Sequence, residues 1–105
     1  MSIRKRQSEF AYAVSLLILH AYQLGYEITF GDTWSLPCPI CKFFIHKDNS
    51  KHKDRLAIDL NLFLDGEYLS KTDDHSPLGL YWESIGGVWG GRFESADGNH
   101  YEWGR

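Results

Sequence analysis

The sequence predicts a small α+β domain in which helices flank an antiparallel sheet. Near the N-terminus, apolar residues recur at helical spacing, whereas residues 57–64 alternate between apolar and other side chains, as a strand does. An Asp-Gly pair follows this run at residues 65–66 and favours a tight hairpin turn. Because a chain of 105 residues has room for one modest core, we expect residues 1–105 to form a single domain.

The first elements follow from these patterns and from the glycines that end them. A helix is expected from about Ser8 to Leu24, with Gly25 as its left-handed cap. A short strand is expected at Tyr26–Phe30, followed by an irregular loop over residues 32–51. The buried face of the helix is expected to contain Phe10, Val14, Leu17, Ala21 and Leu24.

The second half of the chain is expected to form a hairpin, a helix and a terminal strand. The strand that begins at Ala57 should return over Glu67–Leu69 after the turn. Ser76 is the expected N-cap of a helix that ends at Gly86-Gly87, and His75 should lie in an exposed linker before it. A turn at residues 97–99 then leads into the last strand.

Charge and hydropathy exclude several functions. A net charge of −3 gives no electrostatic footprint for nucleic acid. The cluster Arg4-Lys5-Arg6 before an apolar run resembles a signal peptide, but Glu9 interrupts the run and no small-residue cleavage site follows. The run is also too short to span a bilayer. We therefore expect a protein made in the cytoplasm without a signal peptide and without stable membrane insertion.

Asp59 is the first residue that suggests chemistry. It lies in the apolar run from Ala57 to Leu64, and a carboxylate there is costly to bury unless a partner compensates its charge. A metal ion would provide that compensation, and so would an ordinary salt bridge to Arg55 or Arg92.

A zinc site is one arrangement that these residues allow. Catalytic zinc usually has three protein ligands and keeps one position open. Asp59 and His100 could be neighbours across the sheet, and His52 could approach the same point from the loop before the strand. Asp97, three residues before His100, could then act as a general base on water at the metal.

Two separated patterns carry a family resemblance. Ser50-x-His52-x-x-x-x-Ala57-x-Asp59, followed by Asp97-x-x-His100, resembles the zinc-dependent D-alanyl-D-alanine carboxypeptidase family. The segments Leu78–Ser84 and Trp89–Phe93 are similar to its small phage-type members, which act as endolysins on the L-alanyl-D-glutamate bond.

The resemblance implies a zinc peptidase that cuts the stem peptide of peptidoglycan at the bacterial cell wall, with holin-assisted export. It implies His52, Asp59 and His100 as zinc ligands and Asp97 as the catalytic base. Glu102 shares strand parity with His100, so it could either hydrogen-bond this ligand histidine or have a plain surface role. Ser50 is a further candidate for a residue that supports the ligands.

The segment Gly31-Asp32-Thr33-Trp34-Ser35 departs from the family pattern. Relatives that resemble this chain carry a Gly-Glu-Ala-Tyr-Arg run here, in which the arginine anchors a substrate carboxylate. The corresponding position is Ser35, so we expect Arg55 or Arg92 to replace the anchor, with Trp34 beside the cleft. The departure also motivates an alternative, a catalytically degenerate zinc-stabilised binding module.

The pair Cys38-x-x-Cys41 lies in the same loop. Such a pair is compatible with two ordinary thiols, a redox pair or half of a structural zinc site. The last of these would make the protein a zinc-ribbon-like interaction domain.

Overall fold

Two helices and five strands make up the part of the chain that the computed structural model describes, residues 2–31 and 56–103. All of the strand pairs are antiparallel, so the predicted α+β class with flanking helices is confirmed. The helices are α1 (Ile3–Gln23) and α2 (Ser76–Ser84), and the strands are β1 (Glu27–Phe30), β2 (Ala57–Leu64), β3 (Glu67–Leu69), β4 (Val88–Trp89) and β5 (His100–Glu102).

Strand β2 is the centre of the sheet. The strand order is β1-β2-β5-β4, and β3 also pairs with β2. Ile58, Leu60 and Leu62 are buried on one face of β2, whereas Asp59 and Asn61 on the other face are half-buried. The alternation of the sequence therefore separates the core from the polar face.

The hairpin between β2 and β3 forms at the predicted turn. Asp65 and Gly66 have φ angles of 53° and 82°, the positive values that a type I′ turn requires at both central positions. Leu64 pairs with Glu67 across the turn, as the sequence predicts.

Helix α1 begins at Ile3, five residues before the expected start. The Ser2 hydroxyl accepts a hydrogen bond from the Lys5 N–H at 3.1 Å and caps the helix there. Four of the five expected core residues of α1 are buried, but Leu24 is 48% exposed. Leu24 is the C-cap, where the chain leaves the helix through Gly25 at φ 95°, so its side chain no longer follows the buried face.

A 3-10 helix at Thr72–His75 replaces the expected exposed linker before α2. His75, not Ser76, occupies the N-cap position of α2. The expectation of a solvated His75 is wrong, since its side chain is buried and its Nδ1 lies 2.8 Å from the Tyr101 hydroxyl. The tight 3-10 turn directs the His75 side chain into the core, where the Tyr101 hydroxyl is the hydrogen-bond partner of its ring nitrogen.

The core lies between the two helices and the apolar face of the sheet, around the fully buried indole of Trp82. Its ring packs edge-on against Phe10 and Tyr101, and its N–H group lies within hydrogen-bond distance of the carbonyl oxygens of Val88 and Glu102. These contacts of Trp82 hold α2 against strands β4 and β5. Among the described residues, no helix combines the length and hydropathy needed to cross a bilayer.

Candidate metal centre

Asp59 and His100 lie directly opposite each other on β2 and β5. The Nδ1 atom of His100 is 3.2 Å from the Oδ1 atom of Asp59, and both side chains are largely shielded from solvent. Antiparallel pairing thus brings together two residues that are 41 positions apart in the sequence. The expectation that these two residues are neighbours across the sheet agrees with the structure.

Asp97 reaches the same point from the turn that precedes β5. Its N–H donates to the Gly90 carbonyl oxygen at 2.9 Å, and its own carbonyl oxygen accepts from the His100 N–H at 3.1 Å. A Cβ on residue 90 would overlap the Asp97 carbonyl oxygen and lie 2.8 Å from the Cβ of His100. The absence of a side chain at Gly90 is therefore what allows the turn to fold back against the strand end.

The three side chains form a group that fits a metal ion. One ligand atom from each of Asp59, Asp97 and His100 lies within 4.8 Å of the other two. Two carboxylates and an imidazole are donor types that zinc accepts, and the Asp97 side chain is on the exposed side of the group. A cation at this point would also relieve the repulsion between two carboxylates.

Glu102 holds the opposite side of the imidazole. Its Oε1 atom lies 2.7 Å from the Nε2 atom of His100, which leaves Nδ1 facing Asp59. This is the arrangement in which a carboxylate fixes the tautomer and the orientation of a ligand histidine. Strand parity predicts contact between Glu102 and His100, and the structure shows that contact, whereas a role in supporting a metal ligand stays a prediction.

His100 is charged at neutral pH when no metal is present. Burial alone would lower the pKa of its imidazole, but the hydrogen bonds to Asp59 and Glu102 raise the pKa to about 9. The positive charge of this imidazolium therefore offsets part of the negative charge of Asp59 and Glu102 in the metal-free protein. A metal ion that binds Nδ1 must displace the proton there.

Arg92, one of the two expected substrate anchors, is engaged elsewhere. Its Nε and Nη2 atoms donate to the two carboxylate oxygens of Glu83 at 2.9 and 3.1 Å. The guanidinium also lies over the Trp89 ring, 5.5 Å from its centroid. Hydrogen bonding to Arg92 lowers the pKa of the Glu83 carboxyl. This two-point pair joins the end of α2 to the segment that follows β4.

Several predicted site residues lie outside the part of the chain that the structure describes. They are the expected third zinc ligand His52, the other expected anchor Arg55, Trp34 beside the cleft, the supporting Ser50, and the pair Cys38 and Cys41.

Two features of the site have no counterpart in the sequence patterns. The ring of Phe93 packs 5.6 Å from that of His100, between centroids, and remains 39% exposed. A pocket of about 260 Å³ adjoins Asp97 and is lined by Lys71 and His75, among others. Phe93 lies seven positions before His100, and Lys71 lies 26 positions before Asp97. No periodic pattern in the sequence relates the residues of either pair, so their proximity is seen only in the folded chain.

A family model described as D-alanyl-D-alanine carboxypeptidase matches residues 45–103, which is more than half of the chain. The matched region contains Asp59, Asp97 and His100. No curated protein matches the chain.

Proposed function

The chain belongs to the D-alanyl-D-alanine carboxypeptidase family, and from this membership we propose that it is a zinc-dependent peptidase. Its proposed substrate is a peptide bond in the stem peptide of bacterial peptidoglycan. The observation that carries the proposal is the convergence of Asp59, Asp97 and His100 within 4.8 Å of one another.

Asp59 and His100 are the proposed zinc ligands, with His52 as the third. Zinc in such a site lowers the pKa of water and polarises a carbonyl oxygen. The rigid β2–β5 pairing fixes both described ligands, and Glu102 orients the imidazole of His100. The site is thereby organised before substrate arrives.

Asp97 is the proposed general base. Its carboxylate lies on the exposed side of the group, where the attacking water and the substrate approach. In this role the carboxylate removes a proton from the water as it attacks the scissile carbonyl carbon. It then returns that proton to the leaving amine nitrogen as the C–N bond breaks.

The more specific part of the proposal concerns the bond and the setting. The segments Leu78–Ser84 and Trp89–Phe93 resemble phage-type endolysins, so we propose cleavage of the L-alanyl-D-glutamate bond during cell lysis. In that setting a holin would let the enzyme reach the wall. Chromatography of digested peptidoglycan separates this cleavage from removal of terminal D-alanine, because the two release different fragments.

Metal removal gives the most direct test. Protein stripped with a chelator should release no stem-peptide fragments from purified peptidoglycan, and added zinc should restore release. Magnesium at the same concentration is the control, because it prefers six oxygen donors and should not restore activity. Equal activity of the stripped and zinc-loaded forms would refute a zinc peptidase.

The Asp97→Asn substitution tests the catalytic step. We expect the rate of hydrolysis to fall by about 10²–10⁴-fold, because the amide cannot accept the proton, while bound zinc stays near one equivalent. Asp73→Asn, an exposed carboxylate in the 3-10 helix, is the matched control and should retain full activity. Unchanged turnover in Asp97→Asn would rule out its role as base.

A non-catalytic binding module is the second proposed function. The observation in its favour is the engagement of Arg92 with Glu83, since Arg92 is one of the two expected replacements for the missing anchor. This alternative predicts about one equivalent of zinc and tight binding of muropeptides without cleavage. Fragment release by zinc-loaded protein would exclude it.

A further inference from the structure

The pocket beside Asp97 is a feature that the proposed mechanism does not use. Its volume is about 260 Å³, and its lining is mostly polar. One wall is the segment after β3, from Tyr68 to Thr72, and the opposite wall is the turn at residues 96–99. Since Asp97 belongs to both the pocket and the metal-binding group, a ligand in the pocket would lie next to the reacting bond.

Lys71 places a positive charge on the wall that faces this turn. Among the described residues that line the pocket, the only other charged one is Asp97, which the metal-binding group already uses. Within residues 2–31 and 56–103, the Lys71 ammonium forms no ion pair. Hydroxyls of Ser70 and Thr72 and the amide of Asn99 also line the pocket and can donate hydrogen bonds.

The backbone holds Lys71 in place. Its N–H donates to the Asp74 carboxylate at 3.2 Å, and its carbonyl oxygen accepts from the Asp74 N–H at 3.0 Å. This reciprocal pair fixes the start of the 3-10 helix and directs the Asp74 carboxylate towards the backbone.

The two walls are in direct contact. A Cβ at residue 98 would lie only 2.6 Å from the Cα of Thr72, so the glycine lets the chain beside Asp97 pack closely on the chain beside Lys71. The Gly98 carbonyl oxygen also accepts a hydrogen bond from the Trp89 indole at 2.8 Å. The spacing between the backbone of Lys71 and that of Asp97 is therefore set by close packing of the two chain segments.

We propose that this pocket binds a free carboxylate of the peptide substrate and that Lys71 pairs with it. The proposal rests on the proposed peptidase function and gives it a substrate class, an acidic peptide. Lys71 would thus act as the substrate anchor, because Ser35 carries no charge and Arg92 is paired with Glu83.

The test compares two peptides that contain the L-alanyl-D-glutamate unit. One keeps the free D-glutamate carboxylate, and the other carries a carboxamide there. In both, a ketomethylene group replaces the scissile amide so that binding is measured without turnover. Calorimetry gives Kd for wild-type protein, Lys71→Met, Lys71→Arg and Lys5→Met, in zinc-loaded and metal-free forms, because a carboxylate can also bind the metal.

We expect Lys71→Met to weaken binding of the acidic peptide by about tenfold, the lower end for a hydrogen bond to a charged group, because Lys71 is exposed. Binding of the carboxamide should not change. Lys71→Arg should preserve the preference for the acidic peptide, and Lys5→Met, the same change on the exposed start of α1, should leave both Kd values unaltered.

The inference is overturned if wild-type protein does not prefer the acidic peptide, or if Lys71→Met keeps the preference. The same two peptides with an ordinary amide at the scissile position then separate this result from the proposed function. A Lys71-dependent preference without any hydrolysis would refute the peptidase and support the pocket. Hydrolysis with a preference that does not depend on Lys71 would support the peptidase and refute the pocket.

Discussion

At the scale of single residues, the site depends on one imidazole held between two carboxylates. Asp59 faces Nδ1 of His100 and Glu102 faces Nε2, so the ring has little freedom to rotate. Glu102 is not one of the three side chains that converge at the site, and its effect on a metal would pass through His100.

The Glu102→Ala substitution should lower zinc affinity by about 10–100-fold, because His100 would lose the partner that fixes its orientation and basicity. The backbone carbonyl of residue 102, which binds the Trp82 indole, is unaffected by this change. Competition with a chromophoric chelator measures the affinity. Glu94→Ala, at an exposed position, is the control. Equal affinity in both variants would contradict the supporting role.

His75 should make the free energy of unfolding depend on pH. Burial lowers the pKa of its imidazole below the ordinary value of 6.5. The unfolded chain therefore binds more protons, so stability is fully present above about pH 6.5 and is lost as pH falls towards the folded pKa.

Denaturant unfolding of metal-free wild-type protein and His75→Asn between about pH 4.5 and 7.5 measures this loss. The wild type should lose free energy of unfolding relative to the variant as the solution becomes more acidic. His100, whose pKa is raised to about 9, gives the opposite trend, but it is present in both proteins and cancels in the difference. Parallel curves would show that the His75 pKa is not lowered.

At the scale of elements, the turn before β5 determines whether Asp97 and His100 meet. Gly90 accepts the Asp97 N–H through its carbonyl oxygen and lies against the Cβ of His100. The 3-10 helix Gly90–Arg92 is therefore packed against the site as well as joined to α2 through the pair between Arg92 and Glu83.

The Gly90→Ala substitution should displace the turn, because the new Cβ would overlap backbone that cannot rotate away. We expect a loss of about 1–3 kcal/mol in the free energy of unfolding, together with weaker zinc binding. Gly25→Ala is the control: its φ of 95° makes alanine unfavourable, but no atom lies within 4 Å of the added Cβ. That variant should lose stability without losing zinc affinity. Weaker zinc binding in both variants would mean that the turn has no specific effect.

At the scale of the whole molecule, a metal ion would link two paired strands that are far apart in the sequence. The proposed ligands Asp59 and His100 lie on the central strand β2 and on its neighbour β5, and the proposed base Asp97 lies in the turn before β5. A ligand that binds only the folded state raises its stability by mass action.

Zinc should therefore raise the unfolding temperature, by an amount that grows with zinc concentration. At about 1,000 times Kd the gain is about 4 kcal/mol, enough to move Tm by roughly 15–30 °C in a domain of this size. Calorimetric scans with chelator and with excess zinc measure the shift, and Asp59→Asn should reduce it sharply. A Tm that does not respond to zinc would argue against a metal site in the native protein.

Local patterns predicted the elements whose determinants are local. The alternation of β2, the Asp65-Gly66 turn and the apolar face of α1 depend on neighbours in the sequence, and the structure agrees with each. The early start of α1 was missed because a single side-chain cap, at Ser2, extends the helix into a basic segment without an apolar pattern.

Contacts between distant parts of the chain were harder to predict. His75 has no apolar neighbours in sequence that mark it as buried, and its partner Tyr101 lies 26 residues away. The pairing of Arg92 with Glu83 and the pocket at Lys71 depend on how α2 and the 96–99 turn pack. Asp59, Asp97 and His100 were found because two spaced patterns and a family resemblance mark them, not because their proximity follows from periodicity.

The pairing of Asp59 with His100 also has a consequence for the order of folding. The β2–β3 hairpin closes over a two-residue turn, whereas β5 reaches β2 only after a loop of some 40 residues has been brought together. Closing such a loop costs conformational entropy before its contacts form, so local structure precedes it. The ligand group therefore cannot exist in a partly folded chain that contains only the hairpin. Rapid-mixing experiments should find that metal uptake follows the docking of β5, which makes zinc a reporter of the last long-range step.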